Sequence, residues 1–243
     1  MKKVLGCIRK AVEEYGMIKE GDVVSVGLSG GKDSIVLLHA LKLYQNFSPV
    51  KYQLKAITVA NGFEGFDLSS VSDWCSQNNI PYTIKHTEIG KIIFDIRKEK
   101  NPCALCAKMR RGILHDTMKE TNSNVLALGH HSDDAIETLF MSMLYAGQMK
   151  TFAPITHLSR KDLWVIRPMI YATESEVIGA QRKNNLPIVE NPCPADKTTT
   201  REDMKNLTRK FYKEIPNARA NIMSAMKHKD QFSLLFKEDM EKR

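Results

Sequence analysis

The sequence predicts an α/β fold in which a doubly wound, mostly parallel sheet of five strands is flanked by helices. Three observations support this prediction. Apolar runs that suit buried strands alternate with helical patterns, which is typical of βαβ units. One such run, 23–28, passes through Ser-Gly-Gly-Lys-Asp-Ser at 29–34 into an apolar helical pattern. Finally, 42% of the 243 residues are hydrophobic, which suffices for a sizeable core.

The individual elements follow from periodicity and from turn residues. Five strands are predicted, at 23–28, 54–59, 82–86, 124–128 and 163–167. Helices are predicted at 3–16, from Ile35 to about Tyr44, at 68–78, through Leu139 and Met143, at 174–184, and as two helices after Thr198 separated by Pro216 and Asn217. This pattern divides the chain into an N-terminal helix (1–20), an α/β domain (21–195) and a basic C-terminal helical extension (196–243).

The first glycine loop is the strongest functional signal. Gly30 and Gly31 lack a Cβ, so the backbone can turn tightly and approach a ligand closely. Asp33 and Ser34 suit the N-cap region of the following helix, where free amides and the helix dipole favour an anion such as phosphate. The spacing differs from that of a Walker A loop. The alternative is a strand-to-helix turn without a ligand, which the surrounding Ser29, Lys32, Asp33 and Ser34 argue against.

The next strand predicts where a nucleotide base would lie. In an open α/β sheet the ligand lies at the carboxyl ends of the strands. Val59 and Ala60 end the second strand, so they are candidates to line the base, although plain core packing explains either side chain equally well.

A second concentration of reactive side chains lies at 102–112. Cys103 and Cys106 are three residues apart, so their thiols can face one metal or each other, and reactive dithiol, zinc and iron–sulfur interpretations all remain open. Lys108, Arg110 and Arg111 follow, and they would lower thiol pKa values and attract phosphate. The competing interpretation is an amphipathic helix with a solvated basic face and two incidental cysteines.

A second strand–glycine–helix junction follows the fourth strand. Gly129 is followed by two histidines and then by Asp133 and Asp134, whose carboxylates can cap the helix, bind Mg²⁺ beside phosphates or act in acid–base chemistry. One of these two aspartates is expected only to cap the helix. The adjacent histidine side chains diverge, which argues against a shared zinc ion. Downstream, Cys193 lies in an Asn-Pro-Cys-Pro turn and is the preferred third metal ligand.

The charge balance points to an acidic partner. The net charge is +8, and residues 201–229 carry eight Lys or Arg against three Asp or Glu. This concentration favours a nucleic-acid surface over a merely solvated helical face. Residues 1–21 contain no apolar signal region and no run approaches a transmembrane span, so a cytoplasmic protein without a membrane partner is expected. Five cysteines, an odd number, argue against a disulfide framework.

Taken together, the motifs resemble the tRNA 2-thiocytidine synthetases, a family within the PP-loop N-type ATP pyrophosphatases. The matching segments are SGGKDS at 29–34, FEGF at 63–66, PCALCAKMRRGIL at 102–114, ALGHHSDDAIETLF at 127–140, VIRPMIY at 165–171 and NIMSAMKH at 221–228. The resemblance implies ATP, Mg²⁺ and a [4Fe-4S] cluster, held by Cys103, Cys106 and Cys193, as cofactors. It also implies replacement of O2 of cytidine 32 in tRNA by sulfur. One departure is the absence of the second CxxC that better-known members carry near the third ligand.

The implied chemistry assigns roles to the polar residues. Adenylation turns a ring oxygen into a good leaving group, and sulfide can then displace AMP. Asp33, Asp133 and Asp134 are candidates for Mg²⁺ binding or proton transfer, and Lys32, Lys108 and Arg110 for neutralising phosphate charge. The sulfur donor is left open between a cysteine desulfurase and inorganic sulfide, and a homodimer is possible.

Three other functions fit parts of this pattern. A sister family makes 2-thiouridine, but its members carry additional zinc-finger cysteine pairs. A lysidine-type tRNA ligase also uses a PP-loop and needs no cysteine triad. A non-catalytic, metal-bound RNA-binding module would need the cysteines but not the ATP loop.

Overall fold

A computed structural model describes residues 1–99, 102–195, 200–228 and 230. Its strands are β1 (Val23–Gly27), β2 (Gln53–Ala60), β3 (Tyr82–His86), β4 (Val125–Ala127), β5 (Ile155–Leu158) and β6 (Leu163–Ile166). Its helices are α1 (Lys2–Tyr15), α2 (Lys32–Tyr44), α3 (Ser69–Gln77), α4 (Ile89–Lys91), α5 (Pro102–Glu120), α6 (Ser132–Ala146), α7 (Glu174–Lys183), α8 (Thr200–Glu214) and α9 (Ala218–Lys227), with a π-helical turn (Ile92–Ile96) directly after α4.

The sheet confirms the α/β class and the mostly parallel arrangement. Its six strands lie in the order β3-β2-β1-β4-β6-β5, and all neighbours are parallel except β5 and β6. The chain builds outward from β1 to β3 on one side and then returns to add β4 and β6 on the other. The order therefore reverses at β1 and β4, which is where open α/β sheets bind ligands.

All five predicted strands are present, and β5 is an additional strand that the sequence pattern missed. It pairs antiparallel with β6, from Ile155 opposite Ile166 to Leu158 opposite Leu163. The two strands are joined by a short turn in which Asp162 adopts φ +50°. A strand of four residues shows too few alternating positions to be recognised from its sequence alone.

Two hydrophobic clusters hold α5 against the sheet. One joins Met118 of α5 to Ile57, Leu126 and Val165 of three different strands. In the other, Leu105, Cys106, Met109, Ile113 and Leu114 pack against Val59, Ile89 and Ile93. The helix that carries the CxxC motif is therefore fixed over the carboxyl half of the sheet by burial of its apolar face.

The described chain divides into two compact units. The first comprises the described residues of 1–135 and 152–195 and contains the whole sheet. The second comprises 136–151 and the described residues from 200 onward, and contains most of α6 together with α8 and α9. Within the second unit, Arg201 forms an ion pair with Glu137 (Nε–Oε2 3.7 Å), and the rings of Phe140 and Phe211 lie 5.5 Å apart. No helix in the described ranges combines the length and apolarity needed to cross a membrane.

Candidate active site

The loop after β1 has the conformation that its glycines permit. Gly30 adopts φ +84°, and a Cβ there would lie 3.2 Å from Cβ of Val189 and 3.3 Å from Cε2 of Phe66. Only glycine fits both the left-handed backbone and this close approach. Gly31 has an ordinary φ of −77° and is the N-cap of α2. Tight turning is thus required at Gly30 alone.

Two serines close this loop. Ser34 Oγ donates to the carbonyl of Gly31 (3.0 Å) and accepts from the amide of Ser29 (3.1 Å). The helix α2 begins at Lys32 with no side-chain cap, so Asp33 and Ser34 lie in its first turn and not at the N-cap itself. A helix start without a capping side chain leaves amides available to a bound anion.

The charged residues of the loop form a small network. Lys32 Nζ lies 3.2 Å from Asp33 Oδ2 and 3.3 Å from Glu174 Oε1. Burial is the largest influence on the pKa of Lys32 and lowers it, but the two carboxylates outweigh burial, so the pKa lies above its ordinary value. The second oxygen of Asp33, Oδ1, is buried and has no hydrogen-bond partner among the described residues. Such an acceptor is suited to a cation.

The loop after β4 is pressed against the first loop. A Cβ on Gly129 would lie 3.0 Å from the carbonyl carbon of Asp33 and 3.1 Å from the amide nitrogen of Ser34. His131 is 4% exposed and lies between the acidic groups, with Nε2 3.8 Å from Asp33 Oδ1 and Nδ1 3.4 Å from Asp134 Oδ2. The histidine therefore bridges the two loops and does not serve as an outward-facing metal ligand.

The two adjacent aspartates have different surroundings. Asp133 is 4% exposed, and its Oδ2 accepts from the backbone amide of Glu174, the first residue of α7 (2.8 Å). Asp134 Oδ2 accepts from the amide of His131 (2.9 Å), and Asp134 also lines the cavity described next. Asp133 thus stabilises the start of α7, whereas Asp134 can reach a ligand.

A cavity of about 660 Å³ opens beside both loops. Ser29, Asp33, Ser34 and Gly129 line one part of it, and Val59 belongs to its wall, whereas Ala60 is buried and does not. The remaining apolar wall consists of Leu28, Ile57, Leu114, Leu126, Leu128, Leu158 and Val165. An apolar slot next to a phosphate-binding loop fits a nucleobase.

Cationic side chains line the far part of the cavity. Arg110 and Arg111 of α5 line it, together with Arg167 at the end of β6 and with His115 and His130. Sequence reasoning missed Arg167, His115 and His130 as site residues, because their proximity depends on how α5 and β6 pack together. Lys108, by contrast, is exposed and lies outside the cavity wall.

The three candidate thiols are electrostatically coupled. Burial raises the pKa of the Cys106 thiol most, Arg110 lowers it, and the thiols of Cys193 and Cys103 raise it. The side-chain amide of Asn61 donates to Cys106 Sγ at 3.9 Å, a contact that sequence reasoning missed. Within the described ranges no three His, Cys, Asp or Glu side chains are close enough together to hold a metal ion. The thiols are neighbours, but they are not drawn together into a closed site.

Comparisons with known proteins agree with this geometry. Residues 5–210 match the family model of the PP-loop domain. The tRNA-cytidine(32) 2-sulfurtransferase of Geobacter sulfurreducens is 34% identical over 93% of this chain and 89% of its own. That of Geobacter metallireducens is 32% identical over 98% and 93%. The structure of the U34-tRNA thiolase NcsA from Methanococcus maripaludis with its [4Fe-4S] cluster superposes with a TM-score of 0.76, at 26% identity over 92% of this chain and 76% of NcsA. The chain therefore belongs to the PP-loop family and, within it, to the tRNA-cytidine(32) 2-sulfurtransferases.

Proposed function

We propose that the protein is a cytoplasmic, ATP-dependent tRNA sulfurtransferase that converts cytidine 32 to 2-thiocytidine. O2 of the cytosine attacks the α-phosphorus of ATP, and the bond to pyrophosphate breaks. Hydrosulfide then attacks C2, the C2–O2 bond breaks, and AMP leaves with the original oxygen while one proton is released. No electrons are gained or lost by the base, because sulfur enters as sulfide.

One observation carries this proposal: a single cavity is lined by both the phosphate loop and the helix of the CxxC motif. Ser29, Asp33 and Ser34 contribute from the loop, and Ala107 and Arg110 contribute from the α5 turn that follows Cys106. A nucleotide and a thiol-bound group would thus approach the same space. The lysidine-ligase and non-catalytic alternatives explain only one half of this arrangement.

The loop after β1 is proposed to bind the nucleotide. The amides at the start of α2, together with Ser29, Gly30 and Gly31, suit the pyrophosphate group, and Lys32 keeps its positive charge beside it. Val59 lies in the wall where the base would pack, and Ala60 is the next, buried residue of β2. Oδ1 of Asp33, which makes no hydrogen bond to the described residues, fits a magnesium ion, which when bound would neutralise phosphate charge.

The thiols fit an iron–sulfur cluster. Thiolates are the protein ligands of such clusters, and the thiols of Cys103 and Cys193 both lie within electrostatic range of Cys106. When bound through three thiolates, the cluster would supply an iron able to hold the incoming sulfur. Arg110 favours the thiolate form of Cys106, and Asn61 donates to its sulfur, so both residues favour ligation.

Proton transfer and charge stabilisation fall to the cavity residues. Asp134, which lines the cavity, is the proposed proton-transfer group, and Asp133 acts indirectly by fixing the start of α7. Arg110 lines the same cavity and is proposed to stabilise the negative charge on the α-phosphate that is transferred to O2 of the cytosine. Lys108 lies on the exposed side of α5, where it suits tRNA backbone contact.

The decisive experiment is nucleoside mass spectrometry after an anaerobic reaction with reconstituted protein, ATP, sulfide and unmodified tRNA. We expect 2-thiocytidine together with AMP and pyrophosphate, and about four iron and four sulfide per chain. The Cys193→Ala variant should lose both the cluster and the product, whereas Cys75→Ala serves as the matched control because Cys75 is buried in α3 away from the motif. Formation of 2-thiouridine, or of ADP and phosphate, would refute the assignment.

The basic helices of the second unit are proposed to bind the tRNA body. Arg201 is engaged by Glu137, so it is a poor reporter of this surface. Lys210 and Lys213 are exposed on α8. Reversing both charges to Glu should weaken tRNA binding about tenfold and reduce its salt dependence, with ATP affinity unchanged. Unchanged tRNA affinity would place the surface elsewhere.

A further inference from the structure

The cavity contains polar side chains that the nucleotide chemistry does not use. Arg111 and His115 on α5 and Arg167 at the end of β6 all line it. His115 is 7% exposed, and its Nε2 is buried without a hydrogen-bond partner in the described part of the chain. Nε of Arg167 is likewise buried and has no hydrogen-bond partner among the described residues. Nε of Arg167 is always a donor, and Nε2 of His115 is one in the tautomer that carries the proton there. Buried donors without partners are costly, so in that tautomer the pair indicates a missing acceptor.

These groups also crowd positive charge. The pKa of Arg167 is lowered by burial and then by Arg111. That of His115 is lowered by burial, then by Arg111 and Lys161, and Asp116, the weakest influence on it, acts in the opposite direction. The guanidinium groups of Arg111 and Arg167 would be stabilised by an anion, and a guanidinium fork favours phosphate. The lowered pKa favours the neutral form of His115, which can donate one hydrogen bond.

Arg167 is held in place by its surroundings. Its Nη1 donates to the carbonyl of Ala153 (2.7 Å), and the guanidinium lies 4.9 Å from the ring centre of Phe152. The side chain is thus pre-oriented before any ligand arrives, which reduces the entropy lost on binding.

The sheet order separates this anion site from the phosphate loop. Lys32 follows β1, and Val59 lies on β2, so the nucleotide occupies the β1–β2 side. Arg167 follows β6, which lies two strands from β1 on the other side, or about 10 Å across the sheet. The start of α2 and Arg167 therefore belong to different positions along the carboxyl edge of the sheet, although both line the same cavity.

We propose that Arg111, His115 and Arg167 bind a backbone phosphate of the RNA strand next to the target nucleotide. The proposal rests on the proposed function, because it takes RNA as the second substrate. Holding the phosphate on the β6 side places the attached base in the cavity between the anion site and the nucleotide. The site thus positions the base for attack on ATP.

The test uses the holoenzyme and a 17-nucleotide anticodon stem-loop RNA, with a series of RNAs in which one phosphate is replaced by a neutral methylphosphonate. Arg111→Gln should weaken RNA binding about tenfold and lower the salt slope of binding by about one, without changing affinity for a non-hydrolysable ATP analogue. In the wild type, the methylphosphonate at one linkage should weaken RNA binding as much as the Arg111→Gln substitution does. At the same linkage it should cause no further loss of RNA affinity in Arg111→Gln. Arg167→Lys, which keeps the charge but loses the fork, should show a smaller loss at the same linkage.

The matched control is Lys119→Gln, which removes an exposed cation from the last turn of the same helix. It should leave both affinities unchanged. The proposal would be overturned if every methylphosphonate weakened RNA binding by Arg111→Gln as much as it weakens binding by the wild type. It would also be overturned if Arg111→Gln lowered the affinity for the ATP analogue and left RNA affinity intact, which would assign the site to the α-phosphate of ATP. Nucleoside analysis of the same RNA tests the proposed function separately, because binding and salt slope are measured without any chemistry.

Discussion

The two glycine loops of the sheet look alike in sequence but use their polar side chains differently. In the loop after β1 the serine side chains bond locally, Ser34 to Gly31 and Ser29, and the charged Lys32 reaches the distant Glu174 (3.3 Å). In the loop after β4 the hydrogen bonds reach distant elements: Ser132 donates to the carbonyl of Ala172 (2.8 Å), and Asp133 accepts from Glu174 (2.8 Å). The first loop leaves the start of α2 without a capping side chain, whereas the second binds Ser132 and Asp133 to the segment around the start of α7.

The difference shows that a strand–glycine–helix junction does not by itself define a ligand site. What distinguishes the first loop is a buried acceptor that makes no hydrogen bond to the described residues, Asp33 Oδ1, beside a helix start without a side-chain cap. What distinguishes the second is that Asp133 is satisfied by protein while its neighbour Asp134 lines the cavity. Mutations in the first loop should therefore affect activity, and those at Asp133 should affect stability.

The largest effect is expected from Asp33→Asn, which keeps the shape of the side chain and removes its charge. We expect tRNA-stimulated formation of AMP and pyrophosphate to fall by about 100-fold to 1,000-fold, because charge stabilisation of the reacting phosphates is lost. The urea midpoint should change little. Asp73→Asn, an exposed carboxylate on α3, is the control. Activity within tenfold of wild type would show that Asp33 is not part of the nucleotide machinery.

The contact between the loops can be tested with Gly129→Ala. The added methyl would meet the backbone of Asp33 and Ser34 at 3.0–3.1 Å, so one loop must move. We expect a loss of about 1–3 kcal/mol in the free energy of unfolding and weaker ATP binding. The comparison is Gly112→Ala in α5, where a Cβ would meet nothing within 4 Å and should stabilise the helix by about 0.5–1 kcal/mol. Equal stability of the two variants would contradict the tight contact.

The sequence predicts the first loop well because its structure is local. Strand, turn and helix follow one another within 23–44, and the required positive φ at Gly30 coincides with a glycine. The parallel sheet follows from the alternation of strands and helices by the same reasoning. These features depend on spacing within one segment, which a sequence displays directly.

Features that depend on long-range packing were not predictable. The partner of Asp133 is an amide 41 residues away, so sequence alone left open which aspartate serves as a cap. Arg167 and His115 meet only because β6 and α5 cover the same cavity. The strand β5 is recognisable only through its pairing with β6. The domain boundaries at 20 and 195 and the site assignments stay predictions.

A smaller, structural effect is expected from Asp133→Asn. The amide keeps an oxygen acceptor for Glu174 but loses the negative charge at the start of α7, so the free energy of unfolding should fall by about 1 kcal/mol. Urea unfolding would measure this loss, and ATP affinity measured on the folded protein should stay near wild type. Asp134→Asn should weaken ATP binding and leave the free energy of unfolding near that of the wild type. A stable Asp133→Asn variant without activity would reverse the two assignments.

The smallest effect concerns the pH dependence of Lys32. Because Asp33 and Glu174 raise its pKa above the ordinary lysine value, the folded state binds this proton more tightly than the unfolded state. The resulting stability is complete below about pH 10.4, the ordinary lysine pKa, and is lost as pH rises through the folded value. The difference in unfolding free energy between wild type and Lys32→Gln should therefore stay constant from about pH 7 to 9, at no more than about 1 kcal/mol, and shrink above that range. A difference that already declines between pH 7 and 9 would mean that burial dominates at Lys32, and that the first loop does not hold its cation in place for the nucleotide.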